Sequence, residues 1–245
     1  AIDALMQGGA ALLIDEAHQL APRVQDNVSA AVSAKQLRGL RRDAGQALGR
    51  KHALYKALTA ALCALEEAAR TEEFAAGRLE KPPEDLNAAM EGLLDAAGDA
   101  LAEGAGPPAS DAFSLAACWQ YAAGRLDERY AVLTEGAEKT ARIELFLLCA
   151  AQDILEKTKK ACGAVFFSAT LAPFEAAKRM LGSLDGDACL ALPSPFDKSQ
   201  LDARILPVDL RYAARESSAP LVADAIEAQL TAHDGNAIVF FPSYA

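Results

Sequence analysis

The chain has 245 residues, of which 52% are hydrophobic and 24% charged, and its formal net charge is −10. So much apolar material excludes a chain that is disordered throughout, and the length suits one large domain or two small ones. The acidic balance argues against a general polyanion-binding protein, because nonspecific affinity for nucleic acids depends on Lys and Arg side chains that neutralise phosphates.

The start of the sequence and its cysteines bear on where the protein works. The chain begins at Ala1 without an initiator Met or a basic amino-terminal region, so we expect no signal peptide and interpret it as the interior of a longer protein. No run approaches the roughly 18 apolar residues of a membrane span, so no membrane partner is expected. Five cysteines without a Cys-x-x-Cys pair favour a reduced compartment, and we expect the cytoplasm.

Three short apolar segments, each followed by polar residues, are typical of buried parallel strands in an α/β fold. The first ends at Asp15, the second at Ser168 and the third at Pro242. Polar residues at the carboxyl ends of such strands lie where open α/β sheets bind ligands. The predicted strands are residues 10–14, 164–167 and 237–241.

Between the first two strands, residues 24–160 are rich in Ala, Leu, Glu, Lys and Arg with apolar residues at helical spacing. This pattern predicts a large all-helical insertion, long enough to be a domain, with turns at residues 81–83 and 104–108. Its apolar stripes are Leu54, Leu58, Leu62 and Leu65, and later Leu145, Leu148, Ile154 and Leu155.

Charge is uneven within this insertion. Residues 23–56 carry eight basic and two acidic residues, a net charge of +6, whereas residues 57–103 carry three basic and eleven acidic residues, a net charge of −8. One interpretation is two solvated helix faces, and the other is a basic surface along a path for a nucleic-acid strand. The candidate DNA-binding residues of that surface are Arg38, Arg41, Arg42, Arg50 and Lys51.

After the second strand, the pattern predicts a helix over residues 173–182. A second, amphipathic helix is predicted over residues 219–232, with Ser218 as its N-cap and Pro220 in its first turn.

Two polar motifs follow the first two predicted strands. Asp15-Glu16-Ala17-His18 comes directly after an apolar strand, which is the arrangement of a Walker B site, where carboxylates hold Mg²⁺ through water and orient the attacking water. Ser168-Ala169-Thr170 places short hydroxyl groups after the second strand, where they can join a nucleotide site to its surroundings or simply cap a helix.

In order and spacing, these motifs resemble the DinG/XPD type of superfamily-two ATP-dependent DNA helicases. Residues 15–18 are similar to motif II of that family, residues 168–174 to motif III and residues 240–244 to motif IV. Ser194-Pro195-Phe196 and the later Tyr212 and Arg215 resemble the segment that enters the second motor domain. The resemblance covers the whole chain.

The resemblance implies RecA-like P-loop NTPase motor pieces around a helical arch domain. Residues 1–23 and 161–187 would belong to the first motor domain, 24–160 to the arch and 188–245 to the beginning of the second motor domain. ATP and Mg²⁺ would be the cofactors, single-stranded DNA the partner, and the enzyme a monomer.

The resemblance also implies roles for individual residues. Asp15 would hold Mg²⁺, Glu16 would orient the attacking water, and His18 would act with them in catalysis. Ser168 and Thr170 would couple the nucleotide site to strand movement, and Ser243 and Tyr244 would contact DNA.

Two features depart from the family pattern. No Gly-x-x-x-x-Gly-Lys-[Ser/Thr] sequence occurs, so the loop that cradles phosphates is not within the chain, and we expect the chain alone to be inactive. The cysteines match no iron–sulfur ligand pattern, so no cluster is assigned, although many relatives carry one before motif II.

Three functions therefore stay open at this point. The first is a piece of an ATP-dependent DNA helicase. The second is a DNA- or protein-binding arch module without catalytic activity of its own. The third is an unrelated α/β hydrolase that uses Asp15 and Glu16 with a metal.

Overall fold

The computed structural model describes residues 9–184, 186–197, 199, 203–232 and 235–241. The chain divides into two compact units, Ala1–Cys189 and Leu190–Ala245. The first unit is mixed α/β, with one parallel pair of strands and one antiparallel sheet.

The parallel pair joins two strands that are distant in sequence. Strand β1 (Ala11–Ile14) pairs with β6 (Gly163–Phe166), with Ala11 opposite Gly163 and Ile14 opposite Phe166. Parallel pairing brings both carboxyl ends to the same edge. The first two predicted strands are confirmed as a parallel pair, but they are not buried as expected, because Leu13 and Val165 are exposed.

The insertion between these strands is not all-helical, and that part of the fold prediction is wrong. It contains an antiparallel sheet with the order β2-β5-β4-β3. Its sequence explains the error: in β5 the first four residues, Arg-Ile-Glu-Leu, alternate polar and apolar, and alternate side chains along the whole strand are buried, as a strand with one face on the core requires. The strands are β2 (Ala30–Ser33), β3 (Arg78–Leu79), β4 (Tyr130–Glu135) and β5 (Arg142–Leu147).

Four long helices pack against one another and against this sheet. The contacts join α2 to α3, α3 to α5, α5 to α6 and α6 back to α2, so the helices form a closed bundle. Their interior is apolar, with Trp119 and Met90 fully buried. The helices are α2 (Ala34–Ala47), α3 (Ala53–Ala68), α5 (Glu84–Ala102) and α6 (Gly106–Ala123), and a short α4 (Glu72–Ala75) follows α3.

Local signals set the helix boundaries. The Ser33 side chain accepts a hydrogen bond from the Gln36 N–H at the start of α2, and His52 Nδ1 accepts one from the Leu54 N–H at the start of α3. Pro107 and Pro108 stand in the first turn of α6, where the missing N–H has no intrahelical partner to lose. The predicted stripe on α3 is confirmed, because all four of its leucines are buried.

Three further helices form a second apolar cluster with the parallel pair. They are α1 (Leu20–Val28), α7 (Ala151–Thr158) and α8 (Phe174–Leu181), and α8 confirms the helix predicted over 173–182. The cluster joins Ala17, Leu147, Ile154 and Leu181, so the end of β5 packs with the helices that flank the parallel pair. We define the insertion as residues 29–150, which lie between α1 and α7.

The second unit corrects two predictions. Helix α9 runs over Arg215–Ala232, so Ser218 lies within its first turns and is not an N-cap. Its Oγ instead donates to carbonyl oxygens, including that of Asp209 at 2.8 Å. Residues 237–241 were expected to be a strand, but no strand is found there, because no strand among the residues that the structure describes pairs with them.

Candidate functional site

The candidate site begins where β1 ends, at Asp15. One carboxylate oxygen of Asp15 accepts a hydrogen bond from the Glu16 N–H at 2.7 Å, and the side chain is otherwise exposed. Mg²⁺ in nucleotide sites commonly takes one or two carboxylates together with waters and phosphate oxygens. The remaining Asp15 oxygen can therefore serve as such a ligand.

Glu16 has a left-handed backbone, with φ 51° and ψ 40°. This region is uncommon for residues other than glycine and clusters at functional sites. It turns the chain sharply from β1 into a short 3-10 helix (Ala17–Gln19), which the bond from the Gln19 N–H to the Glu16 carbonyl closes at 2.8 Å.

Backbone hydrogen bonds connect this turn to the end of β6. The Phe167 N–H donates to the Ile14 carbonyl at 3.0 Å, and the Ala17 N–H donates to the Phe167 carbonyl at 3.1 Å. Ala17 is completely buried, so a larger side chain has no room there. The two motifs are thus held side by side by the backbone before any side chain contributes.

His18 and Ser168 meet at this junction. His18 Nδ1 lies 2.8 Å from Ser168 Oγ and 3.1 Å from Glu16 Oε2. Ser168 Oγ also accepts the Thr170 N–H at 3.3 Å and makes a long 3.5 Å contact with Glu16 Oε2. One assignment of protons satisfies every contact: Nδ1 of His18 is protonated, and the Ser168 hydroxyl donates to Glu16.

This geometry argues against a serine nucleophile. In a Ser-His-acid triad, the two ring nitrogens of the histidine serve different partners. Here the same Nδ1 faces both Ser168 and Glu16, so His18 cannot take a proton from Ser168 while it donates one to Glu16. Ser168 is a connecting residue between the two strand ends.

An apolar cavity of about 270 Å³ lies beside His18 and Thr170. Most of its lining comes from small or apolar residues, so it is not suited to phosphate groups. The apolar lining residues are Ala17, Ala21, Leu171, Ala172, Pro173, Ala176, Ala177, Met180 and Leu181. Among the residues that the structure describes, no three His, Cys, Asp or Glu side chains are grouped as a metal-binding cluster.

The candidate DNA-binding residues lie apart from this site, on α2 and the turn that follows it, and their side chains differ in availability. Arg38 pairs with Glu66 and donates from Nη1 to the Lys139 carbonyl at 2.6 Å, so its guanidinium group already has partners within the insertion. Arg42 pairs with Asp43 at 2.9 Å on the surface.

The other three have no such partner. Arg41, Arg50 and Lys51 make no hydrogen bond or ion pair with the part of the chain that the structure describes. Ser243 and Tyr244, assigned to DNA contact by resemblance, lie outside the described residues.

Sequence reasoning missed a buried charged cluster of the first unit. Asp153 on α7 is buried and pairs with both Arg125 and Arg129. Nothing in the sequence indicates this pairing, because the acid stands on a helix 24 residues beyond the second arginine.

No family model matches the chain, and a search of curated proteins gives no significant relative. Within the described residues, no helix combines the length and the apolar composition that crossing a membrane requires.

Proposed function

We propose that this chain is the central part of an ATP-dependent DNA helicase of the DinG/XPD type, which couples ATP hydrolysis to translocation on single-stranded DNA and to duplex unwinding. The observation that carries the proposal is the direct hydrogen bond between His18 and Ser168. It joins the two motifs that the resemblance assigns to motif II and motif III.

The arrangement at the strand ends supports this function over the metal-dependent hydrolase. Asp15 and Glu16 follow one parallel strand, and Ser168 follows its neighbour. A movement of Asp15 or Glu16 can therefore reach the second motif through the His18–Ser168 contact. A hydrolase that uses only Asp15 and Glu16 with a metal gives no reason for the His18–Ser168 contact.

Asp15 would hold Mg²⁺ and Glu16 would orient water for attack on the terminal phosphate, which together supply the hydrolytic chemistry of bound ATP. The phosphate-binding loop must come from sequence outside these 245 residues, because the chain contains none. The complete enzyme is therefore defined as this chain joined to that loop and to the rest of both motor domains.

A binding module without catalysis is the second candidate. The observation that favours it is the insertion's own large apolar core, formed by the helix bundle and one face of the antiparallel sheet. Such a core lets the insertion present the Arg41, Arg50 and Lys51 side chains without any help from a nucleotide site.

The test compares ATP hydrolysis by the complete enzyme with and without single-stranded DNA, in the wild type and in His18→Ala and Ser168→Ala variants. We expect DNA to stimulate wild-type hydrolysis and both substitutions to reduce this stimulation to a similar extent while ATP still binds. Ser183→Ala is the matched control, since the Ser183 hydroxyl donates to Asp187 within a local turn that takes no part in the site.

DNA binding without any ATP hydrolysis by the wild type would favour the binding module. A Ser168→Ala enzyme with unchanged stimulation by DNA would mean that the His18–Ser168 contact does not join the two motifs functionally.

A further inference from the structure

Asp153 connects the insertion to α7, at a place where Tyr130 and Leu147 of the insertion also pack against Ile154. It stands in the first turn of α7, and its side chain is 9% exposed. Arg125 Nη2 donates to Oδ1 at 2.5 Å, and Arg129 Nη1 donates to Oδ2 at 2.9 Å. Each carboxylate oxygen thus has its own arginine, and both arginines lie in the loop of the insertion between α6 and β4.

Further hydrogen bonds gather at the same place. The Leu148 N–H donates to the Arg129 carbonyl at 2.7 Å, and the Leu147 N–H donates to Ser29 Oγ at 3.0 Å. Gln25 Nε2, on α1, donates to the carbonyls of Leu147 and Leu148 at 3.1 Å each. The segment that enters the insertion and the segment that leaves it are therefore held together beside Asp153.

Because the Asp153 carboxylate is buried, its stability depends on how Arg125 and Arg129 are oriented around it. Removing a charge from water is costly, and the cost is offset only when the partners have good geometry and complementary charge. Two arginines that approach different oxygens satisfy that condition when α7 and the loop keep their relative orientation.

Helix α7 also packs on α8, which begins at Phe174, a few residues after Thr170. Gly182, with φ 71°, ends α8 directly against the Ala151 carbonyl, so a side chain at that position would collide with α7. The position of α7 therefore fixes the helix that follows the second motif.

We propose that Asp153 is a positioning residue that holds the insertion in a fixed orientation on the α7–α8 pair. Its consequence for catalysis rests on the proposed function: the insertion, with the DNA it contacts, moves as one body with the Ser168–Thr170 segment. Asp153 itself takes no part in hydrolysis.

The first experiment needs only the 245-residue chain. Amide hydrogen exchange is measured for the wild type and for Asp153→Asn, which keeps the size of the side chain and removes its charge. We expect exchange to become roughly tenfold faster or more in peptides covering residues 124–130 and 146–158. These residues exchange when the loop separates locally from α7, and in the variant this separation no longer breaks a buried charge pair. Peptides within α3 and α5 should be unchanged, since the bundle keeps its own core.

Asp127→Asn is the matched control. Asp127 also pairs with Arg129, at 2.7 Å, but it lies in the same loop and on the surface, so it makes no connection to α7. It should leave the exchange of residues 146–158 unchanged. If Asp153→Asn prevents folding, Arg125→Gln replaces it, because Arg129 still neutralises Asp153 there, and a smaller increase confined to the same peptides is expected.

The second experiment uses the complete enzyme. We expect Asp153→Asn to keep DNA-stimulated ATP hydrolysis while unwinding falls, so that more ATP is consumed per base pair, and Asp153→Glu to restore part of the coupling. Equal loss of both activities, or faster exchange throughout the chain, would mean that Asp153 only stabilises the fold. A wild type without DNA-stimulated hydrolysis would overturn the helicase proposal, while the exchange experiment would still decide the positioning role.

Discussion

His18 and Ser168 are separated by 150 residues in sequence, yet His18 Nδ1 lies 2.8 Å from Ser168 Oγ. The parallel pairing of β1 with β6 makes this contact possible, and the backbone bond between Ala17 and Phe167 fixes its register. The candidate site is therefore formed at the carboxyl ends of β1 and β6. The whole insertion lies between these two strands in the sequence.

The 245-residue chain alone should show no ATP hydrolysis above background, with or without single-stranded DNA. Backbone N–H groups and a lysine of the phosphate-binding loop make most of the phosphate contacts in such sites, and the chain has no sequence of that kind. A phosphate-release assay on the purified chain is the measurement. Robust DNA-stimulated hydrolysis would show that phosphate is held in some other way and would remove the basis for a complete enzyme larger than this chain.

The basic surface can be tested through the salt dependence of DNA binding. Replacing Arg41, Arg50 and Lys51 together by Ala in the complete enzyme should weaken single-strand binding. Each lost phosphate contact should reduce the slope of log K against log salt by roughly 0.7. Titrations at several salt concentrations give the slope, and an unchanged slope would mean that these residues form only a solvated face.

Arg38→Ala is the informative comparison for that experiment. Because Arg38 already pairs with Glu66 and donates to the Lys139 carbonyl, its replacement should lower the free energy of unfolding. The same replacement should leave the salt slope of DNA binding nearly unchanged. Hydrogen bonds to charged groups contribute about 1.5–3 kcal/mol, and less here, because the Arg38 and Glu66 side chains are 31% and 27% exposed and solvent screens the pair. Urea unfolding of the chain measures this loss.

Asp127 should contribute a pH-dependent part of the stability. Its hydrogen bonds with Arg129, through the guanidinium first and the backbone N–H second, hold the pKa of this carboxyl below its ordinary value. The folded state thus binds the proton more weakly than the unfolded state, so the stabilisation is present above about pH 4 and is lost as the pH falls below it.

The change that tests this is Asp127→Asn. We expect the difference in urea midpoint between the wild type and the variant to be larger at pH 7 than at pH 3. Asp111→Asn serves as the control, because Asp111 is exposed on α6 and has no hydrogen-bond or ion-pair partner in the described part of the chain. A difference that does not change with pH would contradict the role given to Arg129.

The sequence predicts the two strands that carry the candidate site, but not how reliable that signal is. The apolar runs that stop at Asp15 and Ser168 form a parallel pair, whereas the run over residues 237–241, with the same pattern, forms no strand in the described structure. The antiparallel sheet was missed because β4 and β5 lie in a region whose overall composition favours helices. The alternation of polar and apolar residues over 142–145 was the signal available.

Ion pairs between residues that are far apart in the sequence could not be predicted. Arg38 with Glu66, and Asp153 with Arg125 and Arg129, depend on how helices and loops pack after the chain has folded. No spacing in the sequence distinguishes these arginines from Arg41 or Arg50, which are unpaired in the described structure. Composition therefore predicts a basic surface without predicting which of its side chains are available to a ligand.

The most direct test of the helicase proposal is the ATP turnover of Glu16→Gln in the complete enzyme, measured together with ATP affinity. The substitution keeps the size of the side chain and removes the charge that polarises water, and general-base effects of this kind are worth about 10²–10⁴ in rate. Asp15→Asn should also weaken Mg²⁺-dependent binding. His18→Ala should leave more hydrolysis than Glu16→Gln does and mainly uncouple it from strand movement, which is seen as weaker stimulation by DNA. We predict near-normal ATP affinity for Glu16→Gln with turnover and unwinding reduced by that factor. A Glu16→Gln enzyme with near-normal turnover would contradict the Walker B assignment.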